Sequence, residues 1–356
     1  MRWDALRAGT PDEGSPPAQL APMLFEQRAV TRTFDTPAFR GMTFFEVQAR
    51  SIINRVPDAS RLPFRWTINP YRGCSHACRY CFARKSHTYL DLDSGHDFDS
   101  KIVVKVNAPD LVRKELAAPR WRGEHIAMGT NVDCYQRAEG RYRLMPGILA
   151  ALRDAANPFS ILTKGTLILQ DLDLLCEAAE VTDVGLAVSV GSADTGLWRE
   201  LEPGTPSPQR RLEVCAAFTA ASLPCAVLMG PVVPFLSDSP TQLESTVRQI
   251  AQAGAASVTP IVLHLRTGAR EWFFRWLGEA HPDLVPRYRA LYGRGAYAPA
   301  AYQKQVTERV RELARRYGVG HGAPSAARRR RPGRFAPPAQ RRADLQPAAP
   351  QQLTLL

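Results

Sequence analysis

The 356-residue chain has no continuous apolar run approaching the ~18 residues a membrane helix needs, so no membrane partner is expected. Its first residues, Met1-Arg2-Trp3-Asp4, lack an apolar leader stretch, and a cytoplasmic location is the expectation. No GxGxxG follows the first candidate strand, which removes the usual dinucleotide-binding signature. A disulfide framework is missing too. The seven cysteines are odd in number, and Cys134, Cys176, Cys215 and Cys225 lie scattered, mostly in apolar stretches. That pattern suits a reducing compartment. Acid is scarce at one end, where residues 319 to 356 set seven arginines (Arg328 to Arg331, Arg334, Arg341 and Arg342) against the single acid Asp344. The difference of six is half of the formal net charge of +12. An exposed basic arm favours a polyanion such as DNA or RNA through counterion release, so nucleic acid is the expected partner. A solvated tail that only aids solubility is the plainer alternative.

What the chain does have is one dense cysteine run, Gly73-Cys74-Ser75-His76-Ala77-Cys78-Arg79-Tyr80-Cys81-Phe82. Four thiolates would close the coordination of a [4Fe–4S] cluster, whereas Cys74, Cys78 and Cys81 hold three irons and leave the fourth open. Gly73 lets the backbone approach closely where the loop must wrap. Zinc is the alternative, because His76 and His87 offer the fourth ligand a zinc knuckle needs.

Along the chain, residues 1 to 60 read as a partly disordered N-terminal extension. Thr10 to Pro17 is Pro- and Gly-interrupted, and Phe34, Phe39, Phe44 and Phe45 are expected to pack as an N-terminal extension. Six short runs then suit buried parallel strands: 64–69, 125–129, 159–163, 184–190, 226–233 and 258–265. A further strand-like run covers 101–107. Helical stretches alternate with the strands at 144–155, 169–180, 208–221 and 240–253. Two more helices are expected at 270–279 and 299–317. Parallel strands need crossovers of one hand, so the sheet curls or stays open. If it curls, the chemistry belongs just past the strand ends. Those positions hold Thr130, Asn131, Asp133, Thr163, Lys164, Ser189 and Asp194, residue types that also serve as ordinary helix caps. Lys164 stands out, because a buried lysine is costly without an anionic partner.

The cysteine run resembles CxxxCxΦC of the radical S-adenosylmethionine (radical SAM) superfamily. The resemblance implies a partial (β/α)6 TIM-type barrel over residues 61–290, a C-terminal helix at 291–320 and a disordered tail at 321–356. It implies that SAM chelates the open iron through its amine and carboxylate. It further implies a reduced cluster, hence an electron donor, and a 5′-deoxyadenosyl radical that takes hydrogen from substrate. By this pattern Tyr80 packs near the adenine, and the backbone beside Phe82 bonds its edge. More narrowly the chain is similar to the spore-photoproduct-lyase-like "DNA repair photolyase" group. The matching residues are Lys105, Asp133-x-Tyr135-Gln136, Thr163-Lys164, Glu202-Pro203 with Arg211, and Pro231 to Pro234. Arg32 to Phe34 and Phe39 to Met42 match an uncharacterised actinobacterial branch. By position Lys164 and Ser189 correspond to SAM contacts, and Asn131 joins them on the cofactor side. The lyase's hydrogen-donor cysteine falls where this chain has Thr130 or Asn131, so Cys134 and Tyr135 are the expected radical relay. The function so implied is SAM-dependent hydrogen abstraction from nucleic acid, as in DNA lesion repair. Modification of RNA, protein or a metabolite, or a non-catalytic nucleic-acid-binding module with a structural metal, are the alternatives. The last residues, Gln352 to Leu356, resemble the bacterial sliding-clamp-binding pentapeptide, which adds a clamp to the expected partners.

Overall fold

Apolar runs bounded by amphipathic helices become strands, buried on both faces at Ile126–Met128 and alternately buried and half-buried along Phe159–Thr163. The computed structural model describes residues 29 to 321 apart from Ala59 and Arg61. The expectations for Thr10 to Pro17, the arginine-rich tail and Gln352 to Leu356 lie outside the described residues.

The strands are β1 (Val30–Arg32), β2 (Thr43–Val47), β3 (Ile53–Arg55), β4 (Trp66–Ile68), β5 (Tyr71–Arg72) and β6 (Lys101–Lys105), followed by β7 (Ile126–Met128), β8 (Phe159–Thr163), β9 (Val184–Ser189), β10 (Cys225–Val232), β11 (Ser257–Val262) and β12 (Gly320–His321). Strands β4, β7, β8, β9, β10 and β11 pair in sequence order, and every one of these pairings is parallel. Helices Leu144–Asp154, Leu172–Val181, Pro208–Ala220 and Pro240–Gln252 fill the successive crossovers. Ser207 and Ser239 cap the last two, each followed by proline at the first helical position. Crossovers of one hand in one direction put their helices on one side of the sheet, which curls it into the partial (β/α)6 barrel. Strand β3 adds to one edge antiparallel to β4, and β12 extends the other edge beyond β11.

The Lys101 run stays out of the barrel. As β6 it joins a second sheet in the order β1-β2-β6-β5. The N-terminal aromatics pack against this sheet and divide between its two faces. Phe34, Phe39 and Phe44 cluster, with ring centroids 5.3–5.7 Å apart. Phe45 turns to the opposite face and packs with Ala29, Val47, Leu90 and Val103. Neighbouring strand residues face opposite sides, so Phe44 and Phe45 cannot share a cluster. The second sheet matters for the site because its last strand, β5, delivers the chain into the cysteine loop.

Candidate active site

The loop from Gly73 to Cys81 begins where no side chain fits. Gly73 has φ +79°, and a Cβ there would meet the Lys101 carbonyl at 2.8 Å and the His87 ring at 2.9 Å. The Cys74 N–H donates to the Phe98 carbonyl at 2.9 Å. Tight turns follow, with the Ala77 N–H on the Cys74 carbonyl and the Cys81 N–H on the Cys78 carbonyl, both at 3.2 Å. Two buried side chains then fix this path. Gln136 donates to the Gly73 carbonyl and accepts from the Ser75 N–H, each at 2.9 Å, clamping the backbone on both sides of Cys74. Arg84, fully buried, donates to the Cys78 carbonyl at 2.9 Å, the Gly95 carbonyl at 2.8 Å and Asp99 at 2.8 Å. Its guanidinium also lies 4.8 Å from the Trp272 ring centre and 5.1 Å from that of Phe98.

The three thiols are free, Cys74 and Cys78 buried and Cys81 half-buried. Burial pushes all three up, Cys78 to about 12, so each holds its proton until a metal displaces it. They line one cavity with Tyr80, Phe82, Asn131, Lys164 and Ser189. The same cavity is also lined by Gly129, Leu228, Gly230, Pro231, Ile261, Leu263 and His264. Gly129 is required at its position, since a Cβ would fall 1.8 Å from the Leu162 carbonyl oxygen.

Asp133 ties the loop to the strand ends. One of its oxygens accepts from the Thr163 hydroxyl at 2.7 Å and the Tyr135 N–H at 2.9 Å. The other accepts from the Lys164 N–H at 2.6 Å and sits 3.4 Å from His76 Nδ1. Lys164 Nζ donates to Ser189 Oγ at 2.8 Å, and Ser189 Oγ donates to the Gly230 carbonyl at 3.0 Å. Lys164 is half-buried, and its anionic partner is Glu202, 4.0 Å from Nζ. Glu202 also bonds the Tyr80 hydroxyl and the Arg211 guanidinium. Burial alone would raise this carboxylate, but the charges of Arg211 and Lys164 and the Tyr80 bond hold it below its ordinary value.

Eight of the ten expected site residues thus meet in one cavity. Cys134 and Tyr135 do not line it. Both are buried in the barrel core, and the Tyr135 hydroxyl donates to Asp171 at 2.9 Å. Sequence reasoning passed over Gln136, Arg84 and His264 as site residues. Arg84 was legible as a charge three residues past Cys81, but nothing in its spacing showed that it would turn inward.

Among the described residues, no three His, Cys, Asp or Glu side chains gather tightly enough to hold a single metal ion. Three thiols of one loop lining a single cavity match the three protein ligands of a cluster with one open iron.

The sequence pattern of the Radical SAM superfamily matches residues 68–249. An uncharacterised protein of Mycobacterium tuberculosis is 50% identical over 321 residues, covering 89% of this chain and 93% of its own length. An uncharacterised protein of Methanocaldococcus jannaschii is 29% identical over 195 residues, covering 54% of this chain and 69% of its own. The solved structure of spore photoproduct lyase complexed with dinucleoside spore photoproduct superposes with a TM-score of 0.60 at 16% identity, over 78% of this chain and 80% of the lyase. A double mutant of the same lyase, with bound AdoMet and dinucleoside spore photoproduct, gives 0.57 at 15% identity, over 74% and 77%. The mycobacterial relatives bear out the actinobacterial branch, and the shared architecture bears out the lyase-like fold. This chain belongs to the radical SAM superfamily, with a [4Fe–4S] cluster and S-adenosylmethionine as its cofactors.

Proposed function

We propose that the protein abstracts hydrogen from a nucleic-acid substrate in the cavity above Cys74, Cys78 and Cys81, in a reaction related to DNA lesion repair. The observation that carries this is the sharing of one cavity by the three loop thiols with Lys164 and Ser189 from neighbouring strand ends. When bound, the reduced cluster and SAM together supply a 5′-deoxyadenosyl radical. The chain's own residues do the rest. Cys74, Cys78 and Cys81 hold the cluster, while Gln136 and Arg84 keep their loop in shape. Lys164 is the cation for the SAM carboxylate, presented by its bond to Ser189. Tyr80, fixed by Glu202, packs beside the adenine, with Asn131 and the backbone at Phe82 completing that side. Apolar Leu162, Leu228 and Leu263 on the cavity lining exclude water from the radical.

Three things support nucleic acid: the net charge of +12, the arginine-rich tail, and architectural likeness to a lyase solved with a dinucleoside lesion. Hydrogen return through Cys134 has no cavity contact to carry it, and Thr130 and Asn131 stand where a donor thiol would be needed. The proposal therefore covers abstraction and does not extend to repair of the spore photoproduct itself. The reaction runs in the cytoplasm with an electron donor.

The test follows deuterium. Reconstituted protein, dithionite and SAM are mixed anaerobically with irradiated, deuterated DNA duplex, and the 5′-deoxyadenosine is analysed by mass. Deuterium gained from DNA is the expected result, and deoxyadenosine formed with none overturns the nucleic-acid substrate. Gln352 to Leu356 are proposed to recruit the enzyme to a sliding clamp. A peptide of residues 345 to 356 should bind purified clamp at micromolar concentration and lose that binding with Leu353→Ala and Leu355→Ala. No binding at high micromolar peptide removes the clamp.

A further inference from the structure

Among the described residues five large apolar side chains are exposed, namely Leu62, Phe82, Tyr89, Ile261 and Tyr297. Three of the five sit together at one place. Phe82 (37% exposed) and Ile261 (39%) line the cavity, and Tyr297 (53%) lies beside its lining residue His264. The rings form a row, with Phe82 and His264 centroids 5.6 Å apart and His264 and Tyr297 centroids 5.8 Å apart. A backbone bridge pairs His264 with Tyr297, so the second and third rings are held by main chain as well. Burial, with Arg266 alongside, lowers the His264 pKa, which leaves a neutral imidazole between the two outer rings. The rings are tilted 52° and 49° to one another, and the exposed outer rings, Phe82 and Tyr297, offer stacking faces on either side of the half-buried His264.

The charges around the row define what stacks there. The Arg266 guanidinium donates to the Tyr297 hydroxyl at 2.9 Å and lies 5.8 Å from the Phe82 ring centre. Lys85 is exposed and packs where the chain turns at Gly268, two residues past Arg266. Neither cation forms an ion pair with a carboxylate among the described residues. Asp133 is the one carboxylate lining the cavity, and His76, Thr163, Lys164 and Tyr135 already engage it. Planar stacking faces beside uncompensated cations fit a planar base on an anionic backbone. They fit a peptide less well, because its aromatic side chains carry no adjoining negative charge.

We propose that Phe82, His264 and Tyr297 form a stacking platform for an unpaired nucleobase, with Arg266 and Lys85 receiving the flanking phosphates, so that the enzyme takes single-stranded or extrahelical nucleotides. This rests on the nucleic-acid reading above and narrows it. An intact duplex keeps its base faces covered by neighbouring pairs, and unpairing one base costs a few kcal/mol before any face meets the platform.

The test uses the full-length, cluster-loaded protein and a short oligothymidylate carrying one fluorescent aminopurine base. Stacking quenches that base, whereas charge contact with the arginine-rich tail leaves it bright. Wild type should quench the single strand and should need more protein to quench the same strand annealed to its complement. Tyr297→Ala should weaken single-strand binding by about tenfold, the cost of losing one stacked base. Tyr297→Phe should retain binding, and Leu62→Ala should behave as wild type. Quenching unaltered in Tyr297→Ala, no quenching in wild type, or a Tyr297→Ala defect in SAM binding instead would each overturn the platform. Quenching that depends on Tyr297, in a protein that draws no deuterium from DNA, keeps the platform and removes only the substrate reading.

Discussion

The two sides of the cavity are built on opposite terms. On the loop side most polar groups are matched with partners inside the fold, Arg79 Nε and His87 Nδ1 being exceptions: Gln136 spans Cys74, Arg84 gathers the Cys78 carbonyl with Asp99, and Asp133 accepts from three donors. On the side formed by the end of β11, Ile261 is exposed, His264 Nδ1 is buried with no partner, and Arg266 is bonded only to a phenol. A surface that satisfies itself holds a fixed shape, which is what a resident cofactor requires. A surface left incomplete gains from what arrives and leaves.

The largest effect that would sharpen this contrast is Cys78→Ala. No spare thiol lies in the loop, so iron binding and SAM cleavage should both disappear while circular dichroism shows an intact barrel. Retained brown colour with full deoxyadenosine yield would break the loop side of the account. Next is Arg84→Met, which leaves Asp99 and the Cys78 carbonyl without their partner. Urea denaturation of the protein should show a loss of about 3 kcal/mol. The matching change across the cavity, Ile261→Ala, should alter stability by less than about 0.5 kcal/mol, since its side chain is exposed. Equal losses at the two positions would erase the contrast.

Lys164→Ala is smaller again. A charged hydrogen bond to a ligand carboxylate is worth roughly 1.5–3 kcal/mol, so SAM affinity should fall about tenfold or more by equilibrium dialysis. Unchanged affinity would mean that Glu202 and Ser189 occupy the lysine fully.

The most gradual effect is on pH dependence. Burial raises Glu139 to about 7 against its bonds from Tyr71 and the N–H groups of Met145 and Leu144, and burial raises Asp99 to about 6 despite Arg84. Both folded values lie above the unfolded ones, so the folded state binds more protons through this window. Their contribution to stability should therefore be full below about pH 4 and be lost as pH rises to about 7, by at most about 1.4 kcal/mol per pH unit for each group. Denaturation midpoints across that range check it, and Glu139→Gln should flatten the slope.

Much of the barrel was legible because its signals are local. Each of the six apolar runs became a strand with bounds shifted by three residues or fewer, and serine–proline pairs marked two helix starts. The second sheet was harder to read. Strands β1, β3 and β5 are two or three residues long, too short for an alternating pattern, and β2 pairs with β6 across more than fifty residues of chain. The cysteines could be read from spacing, while the loop's clamps could not. Gln136 lies more than sixty residues from the backbone it holds, and only the fold brings the two together. Cys134 shows the reverse failure. Its closeness in sequence to Asp133 suggested the cavity, but the turn there sends the thiol into the core, while Thr130 to Asp133 line the site.

The central claim, that the loop side of the cavity holds a SAM-cleaving cluster, is tested most directly by anaerobic reconstitution with iron and sulfide, followed by dithionite and SAM. The account predicts about four irons and four sulfides per chain, with 5′-deoxyadenosine formed in wild type and absent in Cys78→Ala. Tightly bound zinc in place of iron, with no deoxyadenosine formed, would contradict it.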